Sequence, residues 1–401
     1  MTNAIDFSAF WPGYRVVASH RTDAQSLTLE LEPEPSQLPL CGGCGEPCPL
    51  VHDRSLRRIR DRDILDDRIT LSVPIRRVDC LHCGRRSEHL AWRAPGSRLT
   101  QRLVAWVEAL LAVLPIQHIS QLTGLHWHTI KTLDKRRLQA CVGGFEPGDV
   151  RRLVMDEFAV HKGHRYATVI MDADRTRVLW VGEGNSRAAI RPFFEQLGER
   201  RKQIEAVAMD MNTAFDREVK QHCPQAEVVF DLFHVVALYG RKVVDRIRVD
   251  QANALRDDKP ARKVIKQSRW LLLRNRDNLT DTQAIRLTEI LDANQALATA
   301  YVLKDALKDV WFAPSVWEGG RRWRAWLRYA RESGLKPLQQ FAANLKPYTR
   351  GILASARFPM HTSLLEGVNN KIKVIKRMAY GFRDQDYFFL KIKAAFPGKT
   401  R

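Results

Sequence analysis

The stretch RRLVMDEFAVHKGHRYATVIMDADRTRVLWVGEG, residues 151–184, decides the fold. It contains three short apolar runs, LVMD, YATVIMD and RVLWVGEG, rich in β-branched residues and separated by turn formers. A helical spacing follows from about residue 187 to 200, then IEAVAMD (204–210), a second helix, and AEVVFD (226–231). Short strands interleaved with helices predict an α/β sheet of mixed strand direction. Two of the runs close on an acid, LVMD at Asp156 and AVAMD at Asp210. A carboxylate at the C-terminal end of a buried strand is desolvated unless a cation is near, so two on adjacent strands make a divalent-metal site. Glu157 falls on the opposite side of its strand. Asp172 and Asp174, in MDADRTR, read as hairpin-turn residues.

Outward from the sheet, residues 241–355 show no strand pattern and carry five of the ten tryptophans. That composition predicts a helical insertion with a small core of its own. Beyond it, in HTSLLEGVNNKIKVIKRMAYGFRD (361–384), Leu365, Val368, Ile372 and Ile375 line one helical face. Glu366, Asn370, Lys373 and Arg377 share the opposite face, and Thr362 or Ser363 would cap the helix. An acid at the head of such a helix can complete a metal site while the cations behind it hold a phosphate backbone.

Before the sheet, Gly143, Gly144, Pro147 and Gly148 make a boundary loop. The segment from Ser97 to about Ala140 has helical spacing, with Leu103, Val104, Val107, Leu110, Leu111 and Leu114 on one face. IQHISQLTGLHWHTIKTLDKRRL (116–138) then gives a short helix, a break at Gly124 and a second helix with Ile130, Leu133 and Leu138 inward. This is a helix-turn-helix pattern. His126, Trp127, His128 and Thr129 would begin the recognition helix, and Lys131, Lys135, Arg136 and Arg137 continue it. Further upstream, Cys41-x-x-Cys44 and Cys80-x-x-Cys83 present two thiolate pairs, the ligand set of a closed, structural Zn²⁺ site. Between them RITLSVPIRRVDC reads as a strand delivering the second pair. Cys48 lies close enough to be a rival ligand and His52, His82 and His89 could substitute, although each reads first as a bystander; Cys141 and Cys223 are isolated.

The chain has 401 residues, 65 Lys+Arg against 45 Asp+Glu, and a formal charge of +20. An excess of that size points to a polyanionic partner such as double-stranded DNA. Half of it lies in the last 66 residues, which hold 13 Lys+Arg and 3 Asp+Glu. The most apolar stretch, residues 103–116, is too short to span a bilayer and contains Glu108, so no membrane partner is expected. MTNAIDFSAFWPGYR has no basic segment followed by an apolar one, so a cytoplasmic location is expected.

The words VMDEFAVHKGHRYATVIMD, VAMDMNTAF, VVFDLFHVV and SLLEGVNNKIKVIKRMAYGFR resemble the DDE transposases of bacterial insertion sequences, of the ISL-three family. The resemblance runs from about Cys41 to Lys393. It implies an α/β RNase H-like catalytic core interrupted by an α-helical insertion, behind an N-terminal zinc finger and helix-turn-helix. Asp156, Asp210 and Glu366 carry over as the metal-binding triad for two Mg²⁺ or Mn²⁺ ions, with Asp231 and His234 as near-site support. The expected parts are 1–95 zinc finger, 96–145 helix-turn-helix, 146–245 first part of the core, 246–355 insertion, and 356–401 completion of the core. The activity implied is binding of terminal inverted repeats, then DNA cleavage and strand transfer into target DNA by a homo-oligomer. A DNA-binding regulator, or an RNase H-like nuclease without strand transfer, would share several of these features.

Overall fold

The computed structural model describes residues 7–161, 165–360 and 363–399. The chain forms two compact units, one ending at Arg137 and one beginning at Leu138.

The first unit contains β1 (Tyr14–Asp23), β2 (Ser26–Pro33), β3 (Val51–Arg60), β4 (Arg68–Cys80) and β5 (Gly84–Ser87). Sheet order is β1-β2-β4-β3, with β5 paired to β4. Ile69, Leu71, Val73 and Ile75 alternate inward along β4 and meet Trp11, Tyr14, Leu31 and Ile59. Pro74 is tolerated there because β2 pairs with β4 only as far as Ser72, so that edge has no ladder bond to lose. Three helices follow: α1 (Gln101–Leu111), α2 (Ile116–Thr123) and α3 (Trp127–Val142). Thr100 caps α1 by accepting from the Leu103 amide. Gly124 ends α2 with φ of 66°, the left-handed value that favours glycine. Leu103, Val107, Leu111, Ile119 and Ile130 form the shared core, with Val104, Leu110, Leu114 and Leu133 at its margin. Sheet and helices are joined at Asp61, which is fully buried. It accepts hydrogen bonds from Trp11 Nε1 (2.8 Å), Thr100 Oγ1 (2.5 Å) and Arg102 Nε (2.7 Å).

The second unit is built on β6 (Arg152–His161), β7 (Arg165–Asp172), β8 (Arg177–Glu183), β9 (Ala206–Met209) and β10 (Glu227–Phe230), in the order β10-β9-β6-β7-β8. β6, β7 and β8 run antiparallel in a meander, whereas β9 and β10 add in parallel on the other side. The mixed sheet read from the sequence is therefore present. α4 (Arg187–Leu197) and α5 (Thr213–His222) cover one face, against Leu153, Met155, Val207 and Met209. The other face, with Val154, Phe158, Ala206 and Ala208, packs against residues 368–392 of the last two helices described below. Asp172 and Asp174 sit in the β7–β8 turn, where Asp172 Oδ1 accepts from the Asp174 and Arg175 amides.

One expectation needs correction. Asp156 does not end its strand: β6 continues to His161 because β7 pairs along its whole length, with Asp156 opposite Val169. Only Asp210 follows its strand, directly after Met209.

Helices fill residues 232–353. They are α6 (Leu232–Tyr239), α7 (Asp245–Ala254), α8 (Lys259–Gln267), α9 (Arg269–Leu273) and α10 (Asp281–Ala293). After them come α11 (Gln295–Trp311), α12 (Val316–Glu332), α13 (Lys336–Leu345) and α14 (Thr349–Leu353). They share one core, in which the Trp323 and Trp326 rings stack at 5.3 Å. Trp311 is buried there too, but Trp270 and Trp317 are exposed. The helical run starts at Leu232, directly after β10, earlier than residue 246. The chain closes with α15 (Ser363–Met378) and α16 (Gln385–Ala395). Thr362 and the side chains of Ser363 and Leu365 lie outside the described residues.

Glu218 locks α4 to α5. It is fully buried, and its carboxylate accepts from Arg187 Nε and Arg191 Nε, each at 2.8 Å, with His222 Nε2 at 3.1 Å. Burial alone would raise its pKa, but the hydrogen bonds from Arg191, Arg187 and His222 hold it at about 2, below the ordinary 4.5. The stabilisation is therefore complete above pH 4.5 and fades as the pH falls towards 2. Glu218→Gln should cost on the order of 2 kcal/mol at pH 7. In thermal melts the gap from wild type should narrow at pH 3; a gap of equal size at both pH values would assign the loss to packing.

Candidate active site and metal centres

The parallel register of β6 and β9 pairs Arg152 with Ala206 and Val154 with Ala208. Continued by two residues, it sets Asp156 beside Asp210, on the face that carries Val154 and Ala208. Asp156, Asp210 and His234 each bring a ligand atom to one place, all within 4.8 Å of one another. Asp231 begins α6 and caps it through the Phe233 amide at 2.9 Å. That cap places His234, whose Nδ1 donates between Asp210 Oδ1 and Asp231 Oδ2, each 2.6 Å away.

Electrostatics follow from this geometry. Burial raises the Asp156 pKa to about 6, and the like charge of Asp210 adds to it, against hydrogen bonds from the Glu157 amide and Asn369. Burial alone would lower His234, yet its hydrogen bonds to Asp210 and Asp231 push it up to about 10. The imidazole is thus a cation at neutral pH, balancing part of the acidic charge. Glu157 faces away and accepts from Asn185 Nδ2 at 2.6 Å.

Glu366 stands exposed in the first turn of α15 and is not one of the three gathered groups. Asn369, one turn later, donates from Nδ2 to Asp156 Oδ2 at 2.5 Å. Residues three apart share a helical face, so the contact sets the Glu366 position over the same side of the sheet. Val368 and Ile372 are buried below, whereas Asn370, Lys373 and Arg377 are exposed. Sequence reasoning missed Asn369, which helical spacing alone does not separate from Asn370. Asn369 Oδ1 is buried without a hydrogen-bond partner. Two carboxylates and an unpartnered amide oxygen are hard oxygen donors, the set that suits Mg²⁺ or Mn²⁺.

In the first unit, Cys41, Cys44, Cys80 and Cys83 bring their sulfurs within 4.8 Å of one another. Cys44 and Cys80 are 3.6 Å apart; tetrahedral Zn–S bonds of ~2.3 Å require sulfurs ~3.8 Å apart. The fit is close. Backbone N–H groups of Cys83 and His82 draw the Cys80 thiol down to about 6, favouring the thiolate a metal binds. Cys48 is buried alongside but stands outside the four, with Sγ 3.6 Å from the Glu46 carbonyl.

At the head of α3, His126 Nδ1 accepts from the His128 amide at 3.3 Å, and the two imidazoles stack at 5.3 Å. Lys131 Nζ lies 5.9 Å from the Trp127 ring. His126, Trp127, His128 and Arg136 are exposed, and Thr129, Lys131 and Lys135 are half-buried. Among the described residues no helix is long and apolar enough to cross a membrane.

Residues 153–392 match the transposase family of DDE, ISL3 type, and residues 88–138 match the helix-turn-helix domain of transposase family ISL3. The chain is 52% identical over 394 residues to the transposase for insertion sequence element IS1001 of Bordetella parapertussis, covering 98% of this chain and 97% of that one. It is 27% identical over 388 residues to the transposase for insertion sequence element IS1557 of Mycobacterium tuberculosis, covering 90% of this chain and 86% of the relative. Among solved structures, the Drosophila P element transposase strand transfer complex matches 65% of this chain and 79% of that chain, at 10% identity and a TM-score of 0.31. With a family match over more than half its length and a relative this similar, the chain belongs to the ISL3 family of insertion-sequence transposases.

Proposed function

We propose that this transposase binds the terminal inverted repeats of its element through the first unit, and cleaves and joins DNA at Asp156, Asp210 and Glu366. The observation that carries the reading is the pairing of Asp156 with Asp210 on one face of the sheet, within 4.8 Å of each other and of His234. The β6-β7-β8 meander extended by parallel β9 and β10 supports an RNase H-like core for the second unit. Two Mg²⁺ or Mn²⁺ ions held there would supply Lewis acidity and an activated water for in-line attack on phosphodiesters. The protein's own part is to hold the acids still. Asn369 fixes Asp156, His234 and Asp231 fix Asp210, and α15 brings Glu366 over the same sheet face. Lys373 and Arg377, exposed on α15, would hold DNA phosphates. At α3, His126, His128 and Thr129 would reach base edges and Lys131, Lys135 and Arg136 the backbone.

End cleavage of a labelled terminal repeat tests the site. Asp156→Ala, Asp210→Ala and Glu366→Ala should each abolish cleavage and strand transfer while repeat binding persists. Glu157→Ala, Asp172→Ala and Asp174→Ala should retain substantial activity. Cleavage by Glu366→Ala would remove that residue from the site, and cleavage by all three would remove the site itself.

Asn369→Ala should lower cleavage by about ten- to a hundredfold, the usual cost of freeing a ligating carboxylate. Raising the Mn²⁺ concentration should recover part of the loss; an unchanged rate would make Asn369 a packing residue only.

Purified protein should contain one equivalent of zinc by elemental analysis, lost in Cys44→Ser and Cys80→Ser together with the fold of residues 41–90. Well-folded protein with less than half an equivalent would refute the four-cysteine centre.

A further inference from the structure

Several arginines of the first unit are matched to an acid. Arg21 pairs with Asp67, Arg60 with Asp63, Arg76 with Glu88, Arg77 with Asp53, Arg85 with Asp79 and Arg102 with Asp61. Arg57, Arg93 and Arg98, like Arg54, Arg58, Arg68 and Arg86, are not. None of the three forms an ion pair among the described residues, yet the fold brings Arg57 of β3 alongside the segment before α1 that carries Arg93 and Arg98.

Backbone pairing sets the end of β3 beside the segment before α1. Arg57 lies opposite Val73 in the β3–β4 ladder, so it shares the face of buried Val73 and Ile59 but emerges exposed at the sheet edge. The end of β3 bonds to the segment before α1: the Arg60 amide donates to the Arg98 carbonyl, and the Thr100 amide to the Arg60 carbonyl, at 2.8 and 3.0 Å. Arg93 bridges to Thr100 in turn. Its Nε donates to the Ser97 carbonyl at 2.8 Å, which fixes the guanidinium and leaves its other nitrogens to a partner. Arg93 is half-buried, and burial, then the charges of Arg57 and Arg98, lower its pKa; no acid acts on it.

We infer that Arg57, Arg93 and Arg98 form a second DNA contact, a clamp on the phosphodiester backbone separate from the base-reading end of α3. Three cations gathered without a paired acid cost stability in the free protein. A phosphate offers the planar guanidinium its preferred bidentate acceptor and removes the repulsion. β3 is the edge strand, so a DNA backbone can approach it without displacing a neighbouring strand. This contact rests on the reading of the first unit as the DNA-binding part. It adds where the backbone is gripped, independently of sequence.

The test uses the full-length protein and two labelled duplexes, the element's terminal repeat and a random sequence of equal length. Arg57→Gln/Arg98→Gln should weaken binding to both by a similar factor, about five- to tenfold, and flatten the salt dependence of log K by about one unit per phosphate lost. Its melting temperature should equal or exceed that of wild type, because repulsion is relieved. Arg15→Gln/Arg21→Gln removes the same charge from acid-paired positions and should change the salt slope far less. An unchanged slope in the first double variant, or an equal loss in the second, would overturn the clamp. Failure of wild-type protein to bind either duplex would overturn the DNA-binding reading along with it, so the two failures are distinguishable.

Discussion

Two carboxylates set side by side on a buried sheet face repel one another, and the second unit is arranged around holding that pair. The register of β6 with β9 makes the juxtaposition unavoidable: once Val154 lies beside Ala208, Asp156 lies beside Asp210. The consequence is visible in Asp156, raised to about 6 by burial and by its neighbour. Such a site gains from added positive charge. His234 supplies one cation from the side of Asp210 and Asp231, and the hard oxygen donors around Asp156 favour a divalent ion for the rest.

Glu218 provides the contrast that separates a structural acid from a functional one. It is as deeply buried as Asp156, yet two arginines and a histidine surround it and hold it near 2. Asp156 has an amide from Asn369 and a backbone N–H, but among the described residues no basic side chain is bonded to it. Both acids have neighbours enough to be ordered. Only one is left short of counter-charge, and a strongly perturbed acid in that condition marks a site of chemistry.

Much of this was legible in the chain because the signals were local. The strands around Asp156 and Asp210 followed from apolar runs of four to seven residues, and Gly124 marked the turn between α2 and α3. The cysteine pairs pointed to a four-thiolate group by spacing alone, and their sulfurs do gather in one place. What stayed hidden depended on pairing. That Asp156 sits mid-strand is set by the reach of β7, about which the run LVMD says nothing. The role of Asn369 depends on which face of α15 meets the sheet, and the period of 3.6 left Asn369 and Asn370 nearly equivalent. Trp270 and Trp317 looked like core residues by type, but helix docking rather than composition decides burial, and both are exposed.

The long separation between Asp210 and Glu366 is less of an obstacle than its length suggests, because the intervening helices both leave and rejoin the sheet at β10. α6 starts directly after Phe230, with Asp231 as its cap. At the far end of α11, Trp311 Nε1 donates to the Phe230 carbonyl at 2.9 Å. Gly351 of α14 then packs so tightly on the Phe230 ring that an added Cβ would lie 2.5 Å from it. Glycine is required at that approach, not for a turn but for proximity. The cost of closing a loop grows only with the logarithm of its length, and these contacts divide the long excursion into shorter closures. From Gly351 the chain has about fifteen residues to reach Glu366, and ~3.3 Å per residue is ample to cross a sheet face. The placement of Glu366 therefore depends on β10 as much as on its own helix: Phe230 anchors the return, and α15 needs only Val368, Ile372 and Asn369 to settle over Asp156.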